Sequence, residues 1–390
     1  MEKKKIVIIG SGAAGIAAAE EARKNDSEAD IAVYSADPDL PFYRLRVAEV
    51  LRDPDAAEKL YLHPAEWYEE RKIKLVSNKK VKKIDYDAKE VELDDSEIIA
   101  WDQLIVTTGS KSFVLPLKGF ERENCFTLWS LQDAKKLSDA IREKNLKTCA
   151  IIGGGLLGLE AAWQMHQAGV HVKILEFAPI LLQRQLDPRA SDLVQKHIES
   201  LGIEIVTGAD SAEVVGEGET GPVRGIILKD GRRIDCDCVL MSVGVMANTD
   251  LAADAGLEIG RRIKVDQRMN TSFPGIYAAG DVCEVDDGYW FGLWSISMAQ
   301  GKVAGANAAG ADKVFTKDTP PYIVNTMNTR IVSQGDLPQK EGEGYNLKIS
   351  EDPKLYSYRK MVYKDNKLAG FILLGYYAKE MVTLQKQLKE

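Results

Sequence analysis

Hydrophobic residues in this chain recur in short, nearly unbroken runs, and two of the runs end in a cluster of glycines. Lys5-Ile6-Val7-Ile8-Ile9 is followed at once by Gly10-Ser11-Gly12-Ala13-Ala14-Gly15. An apolar run without alternation fits a parallel strand covered on both faces. An Ala-rich stretch with polar positions at Glu20, Glu21 and Arg23 then predicts a helix to about residue 24, and residues 31–34 predict a second strand. The same pattern returns as Cys149-Ala150-Ile151-Ile152, then Gly153-Gly154-Gly155-Leu156-Leu157-Gly158, a helix to about residue 168 and a strand at 171–175. Each copy reads strand, glycine turn, helix, strand, so the fold class is α/β with two parallel sheets.

After the first copy, helical stretches are predicted around 44–52 and 64–71, and strands at 72–76, 81–86, 90–93 and 103–106. An amphipathic helix at 131–144 separates the two copies. Beyond the second lie a helix near 191–201, a strand at 203–206, a hairpin at Asp230-Gly231, a strand at 239–243 and a helix at 299–309. The texture changes near 311–321. A final segment follows with strands at 358–362 and 367–374 around an Asp365-Asn366 turn, and a closing helix.

At 390 residues the chain exceeds what one hydrophobic core holds. A net charge of −8 argues against general attraction to nucleic acid or anionic membranes. The lysines and apolar run at the start imitate a signal peptide, but glycines interrupt the run and charges follow it. No stretch of about 20 apolar residues could span a bilayer. A cytoplasmic protein is therefore expected. Its five cysteines (Cys125, Cys149, Cys236, Cys238, Cys283) are odd in number and form no C-x-x-C pair, so no disulfide framework is expected. Cys236 and Cys238 alternate along a probable strand and should pack on one face. No cysteine shares metal-ligand spacing with a histidine, and no metal site is expected.

The glycine turns carry the first chemistry. In a G-x-G-x-x-G turn the first glycine permits the tight turn, the second lets the backbone approach a pyrophosphate, and the third lets helix and strand pack closely. Two such turns, each after a strand and before a helix, predict two dinucleotide sites: Gly10, Gly12, Ala13, Ala14 and Gly15 in one, Gly153, Gly155, Leu156, Leu157 and Gly158 in the other. The residue ending the second strand selects the ribose. Glu176 holds that place in the second copy, and the following Phe177-Ala178-Pro179 offers no cation for a 2′-phosphate, so NADH is favoured over NADPH. In the first copy Ser35 stands where the acid is expected, with Asp37 close by; either could contact a ribose.

These motifs, and others, resemble the pyridine nucleotide-disulfide oxidoreductase superfamily over about the first 310 residues. Thr107-Thr108-Gly109 is similar to the family's short ATG segment, and Thr271 to Asp281, ending Ala278-Ala279-Gly280-Asp281, to its second flavin motif. By that resemblance Asp281 holds the ribityl chain of FAD. Val243-Gly244-Val245-Met246-Ala247-Asn248 resembles the family's G-x-x-P-N segment with Ala247 replacing proline. The stretch from Trp294, containing Gln300-Gly301, resembles the helix whose positive end faces the flavin's pyrimidine ring. The thiol enzymes of the superfamily carry one or two cysteines in the first helices; here the first cysteine is Cys125. In their place Leu40 to Glu49 resembles the Pro-Tyr-x-Arg stretch of NADH:rubredoxin oxidoreductases and of the flavoprotein portion of assimilatory nitrite reductase. That similarity implies that Arg44 lines the flavin and that Arg46 lies near its N5 edge, facing Glu160.

The expectation is a discontinuous FAD domain (1–112 and 241–312), an NADH domain (113–240) and a small C-terminal α+β domain (313–390). The implied function is transfer of hydride from NADH to FAD, then of electrons, without a thiol relay, to a small acidic iron protein such as rubredoxin. That partner would dock near Arg44, Arg46 and Tyr289-Trp290-Phe291, with the chain a monomer or loose homodimer. A nitrite reductase-related flavoprotein, an NADH oxidase and a flavin-bearing, NADH-responsive interaction protein remain open alternatives.

Overall fold

The computed structural model describes residues 3–286, 288–338, 342 and 344–389. They gather into two compact units. The first comprises Met1–Val47, Asp55–Lys111 and Val245–Lys317; the second comprises Ala48–Pro54, Ser112–Gly244 and Asp318–Glu390.

The first unit is built on a five-stranded, wholly parallel sheet in the order Ile276–Ala278, Gln103–Val106, Lys5–Ile9, Asp30–Tyr34, Ile73–Val76. Ile6, Ile8, Leu104, Ile105 and Ile276 are fully buried, which is why these strands read as continuous apolar runs rather than alternating ones. The helix Ala13–Asn25 packs along Trp294–Ala308. Gly301 and Gly305 make this packing possible: a Cβ at either would lie 2.2 Å from the Ala14 carbonyl oxygen or 2.1 Å from that of Ala18. Glycine inside a helix costs about 1 kcal/mol relative to alanine, and the backbone contact it allows across the pair offsets that cost. A three-stranded antiparallel sheet, Val81–Asp85, Glu90–Leu93 and Ile98–Ala100, completes the unit.

The second unit repeats the plan. Its parallel sheet runs Glu204–Thr207, His171–Glu176, Thr148–Ile152, Cys238–Met241, Cys125–Thr127. A meander of Ser211–Gly216, Val223–Leu228 and Arg233–Asp235 follows, with Gly231 at φ +87° in the turn. A five-stranded antiparallel sheet in the order Tyr322–Thr326, Thr329–Gly335, Lys367–Leu374, Ser357–Lys364, Tyr345–Asp352 belongs to the same unit, with the helix Met381–Leu388. Asp187 ties this sheet to the nucleotide-type fold. It caps the helix Pro188–Ser200 by accepting the Ala190 amide at 2.9 Å, while its other oxygen accepts from the Tyr358 hydroxyl at 2.8 Å and the Lys360 ammonium at 3.1 Å.

Several elements depart from the sequence pattern. The stretch expected as one helix at 44–52 is a 3-10 turn, Arg44–Arg46, and a short helix, Glu49–Arg52; the latter belongs to the second unit, where the Ser138 hydroxyl donates to the Val50 carbonyl at 3.1 Å. The Pro188–Ser200 helix starts three residues before the expected 191, because Asp187-Pro188 supplies a cap and a residue already set for the first helical turn. The late helix starts at Trp294, where the family resemblance put it, and not near 299, where the periodicity did. Cys236 lies in the bend between two strands instead of along one. The strands Tyr322–Thr326, Thr329–Gly335 and Tyr345–Asp352 had no sequence signal. The first two join through Met327 and Asn328 at φ +51° and +56°, and methionine is no turn marker.

Candidate functional site

In a parallel sheet all carboxyl ends lie at one edge, and ligands of such folds sit outside that edge. In the first unit this edge gathers Gly10, which follows Lys5–Ile9; Ser35, which follows Asp30–Tyr34; Thr107, which follows Gln103–Val106; and Gly280, beyond Ile276–Ala278. Gly10 sits at φ +106°, and a Cβ there would lie 2.2 Å from the Thr107 carbonyl oxygen; a Cβ at Gly15 would lie 2.0 Å from that of Gly10. No other residue fits either place. Thr107 fixes the turn further, its hydroxyl lying 2.9 Å from the carbonyls of Ile9 and Gly10.

Gly12 is different. A Cβ there would meet nothing within 4 Å, and Gly12 is the N-cap of Ala13–Asn25 without a side-chain cap. The second unit shows the same division: Gly153 (φ +112°) and Gly158 are forced by backbone contacts of 2.2 Å, while Gly155 faces open space and leaves the helix Leu156–Gln167 uncapped. By contrast, Ser130 closes the helix Leu131–Glu143 with a capping box, and Asp187 closes Pro188–Ser200. Two helices thus present their first-turn N–H groups and positive ends, including those of Ala13, Ala14, Leu156 and Leu157, beside free space. That arrangement fits a pyrophosphate at each.

Asp281 is built into the first unit. Its carboxylate accepts from the Ser110 hydroxyl at 2.9 Å and the Ser297 hydroxyl at 3.4 Å, and the Gly280 amide before it donates to the buried Gln300 side chain at 2.9 Å. The Arg262 guanidinium donates to the Asp281 carbonyl and lies 3.7 Å over the Trp290 ring. Burial pulls its pKa below the usual arginine range, and Asp281 acts against that pull. Thr108 and Asn248 lock together by two reciprocal 2.8 Å bonds, and the Asn248 amide reaches the Gly109 carbonyl at 2.9 Å. The ATG-like and G-x-x-P-N-like segments are therefore one structure in this unit, with the loss of proline made good by side-chain bonds. Gly244 lies at φ +107° with no neighbour within 4 Å of a Cβ. Tyr43 packs edge-on against Trp294 with ring centroids 4.8 Å apart. Arg44 lies over the Phe42 ring at 4.9 Å, half-buried, while Leu45 and Arg46 are exposed.

Ser35 is buried. Its hydroxyl accepts from Ser11 at 2.8 Å and from the Asp37 amide at 3.1 Å, which braces the strand end on the glycine turn. Glu176 plays a related part in the second unit: one carboxylate oxygen accepts the Gly154 amide at 2.6 Å and the other the Ala178 amide at 2.7 Å. This fixes the carboxylate at the strand end while each oxygen keeps lone pairs for further donors. Glu160, in the first turns of the Leu156–Gln167 helix, is half-buried. Burial pushes its pKa up to about 7; the nearby Thr326 hydroxyl draws it partly back, and Glu49 adds to the rise.

The thiols are quiet. Cys283, the one cysteine of the first unit, is fully buried and pushed up to about 12 by burial, with Asp281 adding to it. Burial does the same to Cys125 and Cys236, each to about 12. Ser11, Ser110, Arg262 and Ser297 had no individual sequence signal, because each meets its partner only across the fold.

Two glycine turns on parallel sheets, with an aspartate turn and an Asn-bonded crossover in one unit, define a protein with two nucleotide-type folds. A family model described as pyridine nucleotide-disulphide oxidoreductase matches residues 4–306, and the chain belongs to that family. It is 33% identical over 383 residues to a nitrite reductase [NAD(P)H] of Bacillus subtilis, covering 96% of this chain but only 46% of that protein, so it spans about half of that relative's length. It is 31% identical over 375 residues to an NADH-rubredoxin oxidoreductase of Clostridium acetobutylicum, covering 96% of this chain and 92% of that one. A crystal structure of a ferredoxin reductase from Rhodopseudomonas palustris superposes with a TM-score of 0.89 at 25% identity, over 100% of this chain and 95% of that one. Among the described residues no helix is long and apolar enough to cross a membrane.

Proposed function

We propose that the chain is an NADH-dependent, FAD-containing oxidoreductase that reduces a small one-electron iron protein, rubredoxin or a close equivalent, directly from the flavin. The observation that carries the direct route is the state of the thiols. Cys283 is the only cysteine in the unit that bears Asp281, and its burial and high pKa keep it from acting as a thiolate. The name and near-complete coverage of the Clostridium acetobutylicum relative support the choice of acceptor.

A bound flavin accepts two electrons as hydride and can release them singly. The chain's own residues do the rest. The amides after Gly12 and Gly155 hold the two pyrophosphates, and Asp281, fixed by Ser110 and Ser297, accepts from the ribityl hydroxyls. Glu176 accepts from the adenosine ribose of NADH and repels a 2′-phosphate. We assign the first unit to FAD and the Ser112–Gly244 part of the second to NADH. Arg44 and Arg46 supply charge at the flavin-facing turn, where the exposed Leu45 between them offers an apolar contact for a docking partner. Glu160, poised near neutrality, can hold or give up a proton in the working pH range.

A second reading is a flavoprotein that feeds electrons to a nitrite-reducing module on another chain; it is favoured by 33% identity to a protein twice as long. Steady-state NADH oxidation against rubredoxin, ferredoxin, nitrite and oxygen separates them. The proposal expects rubredoxin to be reduced fastest, and its rate to fall as ionic strength rises from about 0.01 to 0.15 M. A slow or salt-independent rubredoxin rate would overturn it.

A further inference from the structure

Of the exposed large apolar side chains among the described residues, Phe177 is the most open to solvent, at 72%. It follows directly on the strand His171–Glu176, and the core is within reach of this segment: Leu181 and Leu182, a few residues on, are 0% and 3% exposed. A phenyl ring left in water forgoes the stabilisation of burial. One such residue alone is an ordinary surface feature; what sets Phe177 apart is where its backbone is held and beside what.

The Glu176 carboxylate reaches across it. One oxygen accepts the Gly154 amide at 2.6 Å, inside the glycine turn, and the other accepts the Ala178 amide at 2.7 Å. The neighbouring loop fastens the same two residues, with the Ala209 amide donating to the Glu176 carbonyl at 2.8 Å and the Gly208 amide to the Ala178 carbonyl at 3.0 Å. Pro179 then fixes a further φ angle. Both chain neighbours of Phe177 are thereby tied down, so the ring stands at the carboxyl edge of the sheet on a held turn. A Cβ at Gly208 would meet nothing within 4 Å, so the loop bonded to this turn leaves open space.

Covalent connectivity says what reaches an exposed ring there. On the reading above, Glu176 accepts from the adenosine ribose of NADH. In that sugar the carbon bearing the base is bonded to the carbon bearing the 2′-hydroxyl, so the base leaves the ribose beside the carboxylate. The base is a flat, neutral, aromatic purine. A phenyl side chain offers it no hydrogen bond but a matching face, and stacking on aromatic side chains is a recurrent source of affinity for bases. An arginine near the acidic residue would instead accommodate a 2′-phosphate; phenylalanine offers a phosphate nothing.

We propose that Phe177 stacks on the adenine of NADH and makes the adenine half of the cofactor a source of affinity in this unit. The pyrophosphate at the start of the helix Leu156–Gln167, the ribose at Glu176 and the base at Phe177 then adjoin in the order in which the nucleotide carries them. The proposal rests on the assignment of NADH to this unit and adds the side chain that takes its base.

The test is calorimetric titration of the FAD-loaded full chain with ADP-ribose, which carries the adenosine and pyrophosphate of NADH without its nicotinamide. The parent should bind it saturably, F177A about tenfold more weakly, and F177W within about threefold of the parent, because an indole restores the aromatic face. Thermal melts report whether each variant is folded. In steady state, with ferricyanide as acceptor, the ratio of kcat/KM for NADH to that for reduced nicotinamide mononucleotide, which has no adenine, should fall about tenfold in F177A. An F177A chain that melts normally and binds ADP-ribose like the parent, an F177W chain no better than F177A, or an unchanged ratio would each overturn the proposal. Weaker binding in E176A with no effect of F177A refutes the stacking alone and leaves NADH in this unit. A parent that does not bind ADP-ribose removes the NADH assignment, and the stacking with it.

Discussion

Replacing Lys360 with methionine should be among the most damaging single changes in the second unit. The Lys360 side chain is 1% exposed and that of Asp187 7%. The ammonium also donates to the Pro338 carbonyl at 2.6 Å. K360M keeps most of the volume but leaves the Asp187 carboxylate with one hydroxyl and one amide as its remaining donors. Breaking a buried pair by removing one partner costs about 3–5 kcal/mol, chiefly because the other charge stays buried. For a unit of roughly 150–250 residues, where each kcal/mol shifts Tm by about 2–4 °C, that is a loss of about 6–20 °C. Urea and thermal melts, with hydrogen exchange of the Ser357–Lys364 strand as a local probe, measure it. The same logic makes the double variant D187N/K360M less unstable than K360M alone, since it removes the stranded charge and asparagine still caps a helix. If K360M lies within about 1 kcal/mol of the parent, or the double variant is as unstable as the single, uncompensated charge is not what makes this contact matter.

Three other outcomes follow from the site. Asp281→Ala leaves the Ser110 and Ser297 hydroxyls without their acceptor, and should lower FAD retention at least about tenfold, read by flavin absorbance after gel filtration; full retention would remove Asp281 from the cofactor site. NADH should exceed NADPH in kcat/KM by about 100-fold, and Glu176→Ala should narrow that ratio; an unchanged ratio would place the selection elsewhere. Glu160 is an acid whose pKa is raised on folding, so its contribution favours the folded state below the unfolded value of 4.5 and is lost as pH rises to about 7. E160Q should therefore gain stability relative to the parent over that interval and hold a constant advantage above it, which thermal melts from about pH 4 to 9 will show or deny.

Much of the nucleotide architecture was legible in the sequence because it is local. A strand, a glycine turn and a helix occupy consecutive residues, and the steric demands on Gly10, Gly15, Gly153 and Gly158 come from backbone only a few residues away or from the strand beside it. Residue type alone therefore announces the turn. The Asp281 motif was equally plain as a string, but what holds that carboxylate was not. Ser110 and Ser297 reach it from positions 171 and 16 residues away, and no spacing rule joins them. Ser35 shows the reverse case: the sequence marked a position that could face a ribose, while the fold engages its hydroxyl with Ser11. The strands Tyr322–Thr326 and Thr329–Gly335 stayed hidden because one of the two residues of their turn, Met327, has no turn propensity, and only pairing with the neighbouring strands holds it there. A cleft lined by Glu49, Glu160, Gln164, His197 and Thr326 belongs wholly to tertiary structure. Its burial and the raised pKa of Glu160 arise where helices and a sheet distant in sequence exclude water from the same groups.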